Sequence, residues 1–127
     1  MNYTLGFSDG VAELICPPQF THEDGVEALS EIVAAPWLSE MTSLVILDSG
    51  SAFSPTRDGV KTLTDLMDEI LSKEQVRIAI VVAKVVHYGI GRVIEARVGH
   101  GSGRVRVFLK EEAARQWLGM GEADAGE

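Results

Sequence analysis

The stretch that most constrains this chain covers residues 76–97, VRIAIVVAKVVHYGIGRVIEAR, an apolar run that passes abruptly into a glycine-spaced helical pattern. Four to eight consecutive apolar residues without alternation are the mark of a strand buried on both faces, as in a parallel sheet. The residues that follow, His87, Tyr88 and Arg92, then lie at that strand's carboxyl end, where open α/β sheets usually place ligands. Residues 76–83 are therefore predicted to form a mid-sheet strand, and residues 88–98 the helix after it. Gly99, Gly101 and Gly103 end that helix and open a turn.

The flanking sequence extends the alternation. Residues 3–7 and 11–16 are short apolar runs around Ser8-Asp9-Gly10, a turn composition that favours a hairpin. Pro17-Pro18 ends the pairing, since neither residue can donate a ladder hydrogen bond. Thr21 with Asp24 resembles a capping box, and Val26, Leu29 and Val33 continue a helix over residues 21–34 that stops before Pro36. Trp37 and Leu38 fall in a loop below the core. SLVILD at residues 43–48 is a second strand buried on both faces.

Ser54-Pro55 supplies an N-cap and a first-turn proline for a helix over residues 55–72, with a stripe of Val60, Leu63, Met67, Ile70 and Leu71. Gly59 inside it implies a close packing contact. RVRVFL at residues 104–109 alternates as an edge strand with its arginines in water, and residues 110–118 form a last helix with Ala113/Trp117 and Ala114/Leu118 pairs. The order ββαβαβαβα gives an α/β fold: a mostly parallel five-stranded sheet with an antiparallel N-terminal hairpin and helices packed on it.

With 127 residues, 46% of them hydrophobic, the chain suits one domain, expected over residues 1–119 and followed by an acidic solvated tail over residues 120–127. A formal net charge of −8 argues against nucleic acid and anionic membranes as partners. No apolar run approaches the roughly 20 residues of a membrane span, and the start MNYTLGFSDG has no secretory pattern, so a cytoplasmic protein is expected. The single cysteine, Cys16, sits in an apolar run and reads as a buried, inert thiol. His22, His87 and His100 lack metal-ligand spacing, and His22-Glu23-Asp24 reads as a solvated first helical turn. No metal and no cofactor are expected.

From Tyr3 to Leu118 the arrangement resembles the SpoIIAA-like fold of STAS (sulfate transporter and anti-sigma factor antagonist) domains, in particular its small bacterial SpoIIAA-like branch. The residues that carry the resemblance are VRIAIVV, His87-Tyr88-Gly89-Ile90-Gly91-Arg92, Val107-Phe108 and Ala114-Arg115-Gln116-Trp117-Leu118. It implies a non-enzymatic regulatory or protein-interaction module with a protein partner or a second copy of itself. Anti-sigma factor antagonists are phosphorylated on a serine of an Asp-Ser-Ser-Gly stretch between a buried strand and the next helix. The equivalent junction here holds Asp48, Ser49, Ser51, Ser54, Thr56 and Arg57 without that motif; its nearest positions read Thr56-Arg57-Asp58-Gly59.

Competing readings attach to each candidate. His87, Tyr88, Gly89 and Arg92 form an anion-binding turn if Gly89 and Gly91 open a helix start. Alternatively Gly89 serves helix packing, His87 caps the helix and Arg92 pairs with Asp48 or Glu95. Asp48, Ser49, Ser51, Ser54, Thr56 and Arg57 form a switch loop, or else Ser54 is an N-cap and the others turn residues. A carrier of a small apolar ligand, by architectural likeness to SEC14-type lipid-transfer proteins, would use Phe53, Met67, Trp37 and Tyr88. An enzyme would use Asp48, His87 and Arg92, although no Gly-x-Ser-x-Gly elbow or paired nucleophile is present.

Overall fold

The computed structural model of the chain describes residues 2–51, 53–72, 76–98 and 102–119. Gly99, His100, Gly101 and the acidic tail from residue 120 onward lie outside the described residues. β1 (Thr4–Ser8) and β2 (Val11–Cys16) form the antiparallel hairpin expected from Ser8-Asp9-Gly10, with Asp9 and Gly10 at φ 53° and 81°. Two successive positive φ values are what a tight two-residue hairpin turn needs. α1 (His22–Ala34), β3 (Ser43–Asp48), α2 (Arg57–Ile70), β4 (Arg77–Val82), α3 (Val85–Arg97), β5 (Val105–Phe108) and α4 (Glu111–Trp117) complete the chain. The five strands run β1-β2-β3-β4-β5, parallel from β2 onward. β3 is the middle strand; β4, the most apolar segment, lies one place off centre between β3 and β5.

The register explains the core. Leu14, Ile46, Ile80 and Val107 align across β2 to β5, as do Ala12, Leu44 and Ile78 across β2 to β4, and all are buried against one layer of helices, α1, α2 and α3. The opposite face is covered by α4. Its Arg115 reaches Glu13 of β2 at 2.8 Å, while Trp117 packs on Phe108 and takes the guanidinium of Arg77 over its ring.

Several local expectations are corrected. Trp37 and Leu38 belong to a short 3-10 helix (Pro36–Glu40), and Trp37 stacks on Phe7 with ring centroids 4.6 Å apart. α2 starts at Arg57, and its cap is Thr56, whose hydroxyl accepts from Gly59 N at 3.0 Å; Ser54-Pro55 precedes the helix. α3 starts at Val85, three residues ahead of Tyr88. The Thr21/Asp24 capping box is present. Asp24, however, is buried rather than solvated, and Thr21 N–H, the Thr21 hydroxyl and the Asn2 amide all donate to its carboxylate. Those donors, the Thr21 backbone N–H first, hold its pKa below the usual 3.8 against the cost of burial. Gly59 meets the expected close contact: a Cβ there would come within 2.8 Å of the His22 ring.

Candidate functional site

Asp48 ends β3 beside the carboxyl end of β2, and its carboxylate organises the loop that follows. Oδ1 accepts from Gly50 N at 3.0 Å and Ser51 N at 2.8 Å, an Asx-type turn made accessible by Gly50 at φ 99°. Oδ2 accepts from the Ser51 hydroxyl at 3.1 Å, and the Ser51 oxygen in turn accepts from Phe53 N at 3.2 Å. Ser51 is thereby buried and fully engaged.

α3 closes the same loop from the other side. Its first turn sets His87 into the core with 4% of its surface exposed. His87 Nε2 lies 2.8 Å from the Phe53 carbonyl, an acceptor only, so this nitrogen carries the hydrogen. His87 Nδ1 faces Asp48 Oδ2 at 3.1 Å, close enough for an ion pair but misaligned for a hydrogen bond. A second proton on the ring completes the pair; without it, the Nδ1 lone pair faces the carboxylate. Lys84, just ahead of α3, donates to Ser51 O at 3.0 Å. The Phe53 ring packs against Phe20, His22 and His87 with centroids 6.0 to 6.4 Å away. The loop is therefore bolted to α3 through backbone carbonyls at two points and plugged by one aromatic ring.

Beneath this clamp is a cavity of about 70 Å³ whose walls include Leu14, Leu29, Met67 and Ile80, with Cys16, Asp48 and His87 as its polar members. Small-molecule sites usually span roughly 300–1,000 Å³, so the cavity has no room for an acyl chain. Phe53 and Met67 line it, whereas Trp37 and Tyr88 do not. Burial, and secondarily the nearby carboxylates Asp48 and Asp24, push the Cys16 thiol well above its usual pKa, which leaves it a poor nucleophile.

The remaining candidates disperse. Because α3 begins at Val85, the N–H groups of Gly89 and Gly91 lie inside the helix and are not free to receive an anion. Gly91 is a packing glycine: a Cβ there would stand 2.5 Å from Val107 Cγ2. Gly89 faces open space. Arg92 is exposed and turned to Glu95 at 3.5 Å and to Tyr88, away from the Asp48–His87 pair; the Tyr88 hydrogen bond and the Glu95 charge both favour its cationic form. In the loop, Ser49 donates to Cys16 O at 3.3 Å, and Ser49, Ser54, Thr56 and Arg57 are all exposed. Among the described residues no three His, Cys, Asp or Glu side chains come together as metal ligands, and no helix is long and apolar enough to cross a membrane.

Sequence reasoning missed Lys84, Val85 and Val86. The two valines occupy the first turn of α3 with 84% and 64% of their surface exposed, beside the clamped loop. The pair falls in the gap between the expected strand, ending at residue 83, and the expected helix, starting at residue 88; the true start at residue 85 puts it on the first turn of α3.

No protein-family model and no curated protein matches the sequence. Among solved structures, the chain is similar to the Bacillus cell fate determinant SpoIIAA in its phosphorylated form. The TM-score is 0.60 at 12% identity, over 91% of this chain and 98% of that one. The chain has the SpoIIAA-like fold. In this SpoIIAA-like sheet the clamp, the loop it holds and the exposed valines all lie at the carboxyl ends of β3 and β4, where the element order delivers them.

Proposed function

We propose that the chain is a non-enzymatic regulatory module that binds a protein partner through the loop at residues 49–56 and the first turn of α3. The observation that carries this reading is the exposure of Val85 and Val86 next to a loop whose polar groups are spent on holding its own shape. Exposed apolar side chains that lie together, unlike single ones, mark interaction surfaces. A pre-organised loop beside them lowers the entropy lost on association. The fold is that of a protein described as a cell fate determinant and as phosphorylated. Within the loop, Ser49, Ser54 and Thr56 are the exposed hydroxyls, with Arg57 next to Thr56 to meet a phosphate. Against catalysis, Asp48 and Ser51 are used up in the clamp, and Arg92 points elsewhere.

The test is affinity capture from the native host with wild type and with the Val85→Asp/Val86→Asp double variant, combined with mass spectrometry of the purified chain. The expected result is a stoichiometric partner held by wild type and lost in the variant at unchanged melting temperature. A partner retained equally by both, or no partner together with unmodified Ser49, Ser54 and Thr56, overturns the reading.

A further inference from the structure

The two edges of the sheet are finished differently. On β5 the outward N–H of Val107 is taken by Glu95 Oε2 of α3 at 2.6 Å, and exposed Arg106 adds charge to the strand. Both are devices that stop a further strand from pairing. β1, Thr-Leu-Gly-Phe-Ser, has neither: it contains no charge and no proline, and among the described residues no side chain bonds to Leu5 or Phe7.

The alternation along the hairpin says which groups are free. In a two-residue hairpin the flanking pair, here Ser8 and Val11, is hydrogen-bonded, so Gly6 and Thr4 also bond to β2. The N–H and C=O groups of Leu5 and Phe7 therefore point out of the sheet. The strand is also palindromic in residue type about Gly6: polar, apolar, glycine, apolar, polar.

From these features we infer that β1 pairs antiparallel with β1 of a second copy of the chain, with the two-fold axis at Gly6. In that register Leu5 opposes Phe7 of the second copy as a hydrogen-bonded pair, and the reciprocal pair does the same, so every outward group finds its partner. Leu5 and Phe7 lie on the helix-covered face, where the pairs extend the Phe7–Trp37 stack. Thr4 opposes Ser8, and the two Gly6 residues meet in the close, non-hydrogen-bonded geometry at about 4.5 Å between Cα atoms. For a chain of net charge −8, a charge-free strand is the edge where two copies approach with least repulsion. One short strand pair buries less than the roughly 1,600 Å² of a standard interface, so this dimer is weak and reversible.

Gly6 provides a clean test because a side chain there meets nothing within 4 Å, and its cross-strand neighbour on β2 is Glu13. Gly6→Lys gains that neighbour within the monomer but sets two ammonium groups face to face at the axis. Sedimentation velocity over a concentration series should show wild type in a monomer–dimer equilibrium. Gly6→Lys and Gly6→Glu should each associate about fivefold or more weakly, the effect of like charges directly opposed. An equimolar mixture of the two variants should recover the dimer, with melting temperatures showing that each variant is folded. Wild type that stays monomeric at all concentrations, a Gly6→Lys variant that associates as wild type does, or a mixture that stays monomeric overturns the inference.

Discussion

At the residue scale the decisive group is His87, because among the described residues its side chain touches both the carboxylate at the end of β3 and the Phe53 carbonyl within the loop. Its ring replaces two contacts that water would otherwise supply, inside a region from which water is nearly excluded. Removing it leaves the buried Asp48 carboxylate without the ring beside it and the Phe53 carbonyl without a donor. Leaving a buried polar group without its partner costs about 1–3 kcal/mol. His87→Ala is therefore expected to lower the urea unfolding free energy by about that amount. It should also raise hydrogen exchange at the Ser51 and Phe53 amides more than in the strands. His87→Gln, which retains a donor for the Phe53 carbonyl, should recover part of the protection. Equal exchange in all three proteins would show that the loop holds its shape without the clamp. The sequence singled out His87 for an anion site, a helix cap or catalysis and Asp48 for a switch loop or catalysis; the Phe53 carbonyl that His87 meets is a backbone atom and leaves no trace in residue identity.

At the element scale α3 shows how a one-turn error in a helix boundary changes a functional reading. Placing the start at Tyr88 made Gly89 and Gly91 look like a cradle at a helix N-terminus, whereas the start at Val85 makes them interior positions with unlike roles. Gly91 lets α3 approach Val107, and a methyl group there overlaps that side chain; Gly89 touches nothing. Substitution should therefore act in opposite directions one turn-half apart on the same helix. Gly91→Ala is expected to destabilise by about 1–3 kcal/mol, the cost of overpacking, with partial rescue by Val107→Ala. Gly89→Ala is expected to stabilise by about 0.5–1 kcal/mol through helix propensity. Thermal denaturation of the variants decides both signs. The strand and helix sequence itself was legible because hydrophobic period reports burial directly. The ends were not: Ser54-Pro55 offers as good a start signal as Thr56, and only the bond from Thr56 to Gly59 N chooses between them.

At the scale of the whole molecule, the titratable groups whose surroundings differ most from water bound the pH range in which the fold is stable. Asp24 sets the acid side. Its folded pKa lies below the ordinary 3.8, so its contribution is present above that value and is lost as pH falls through the folded pKa. Cys16 and Tyr3 set the alkaline side, since burial raises both above their ordinary values of 9.0 and 10.0; for Tyr3 the hydrogen bond to Glu31 adds to it. An unfolded chain releases these protons above pH 9 to 10 while the folded chain keeps them, so stability falls as pH rises past that point. For one fully retained proton the slope is about 1.4 kcal/mol per pH unit. Urea unfolding at pH 7 and at several points above 9 should show that decline beginning near pH 9. Cys16→Ala, which removes the thiol, should be less stable at pH 7 but should delay the decline until tyrosine titrates. If the variant declines from pH 9 just as wild type does, Cys16 is not the buried, protonated thiol that its place at the end of β2, against the cavity, makes it.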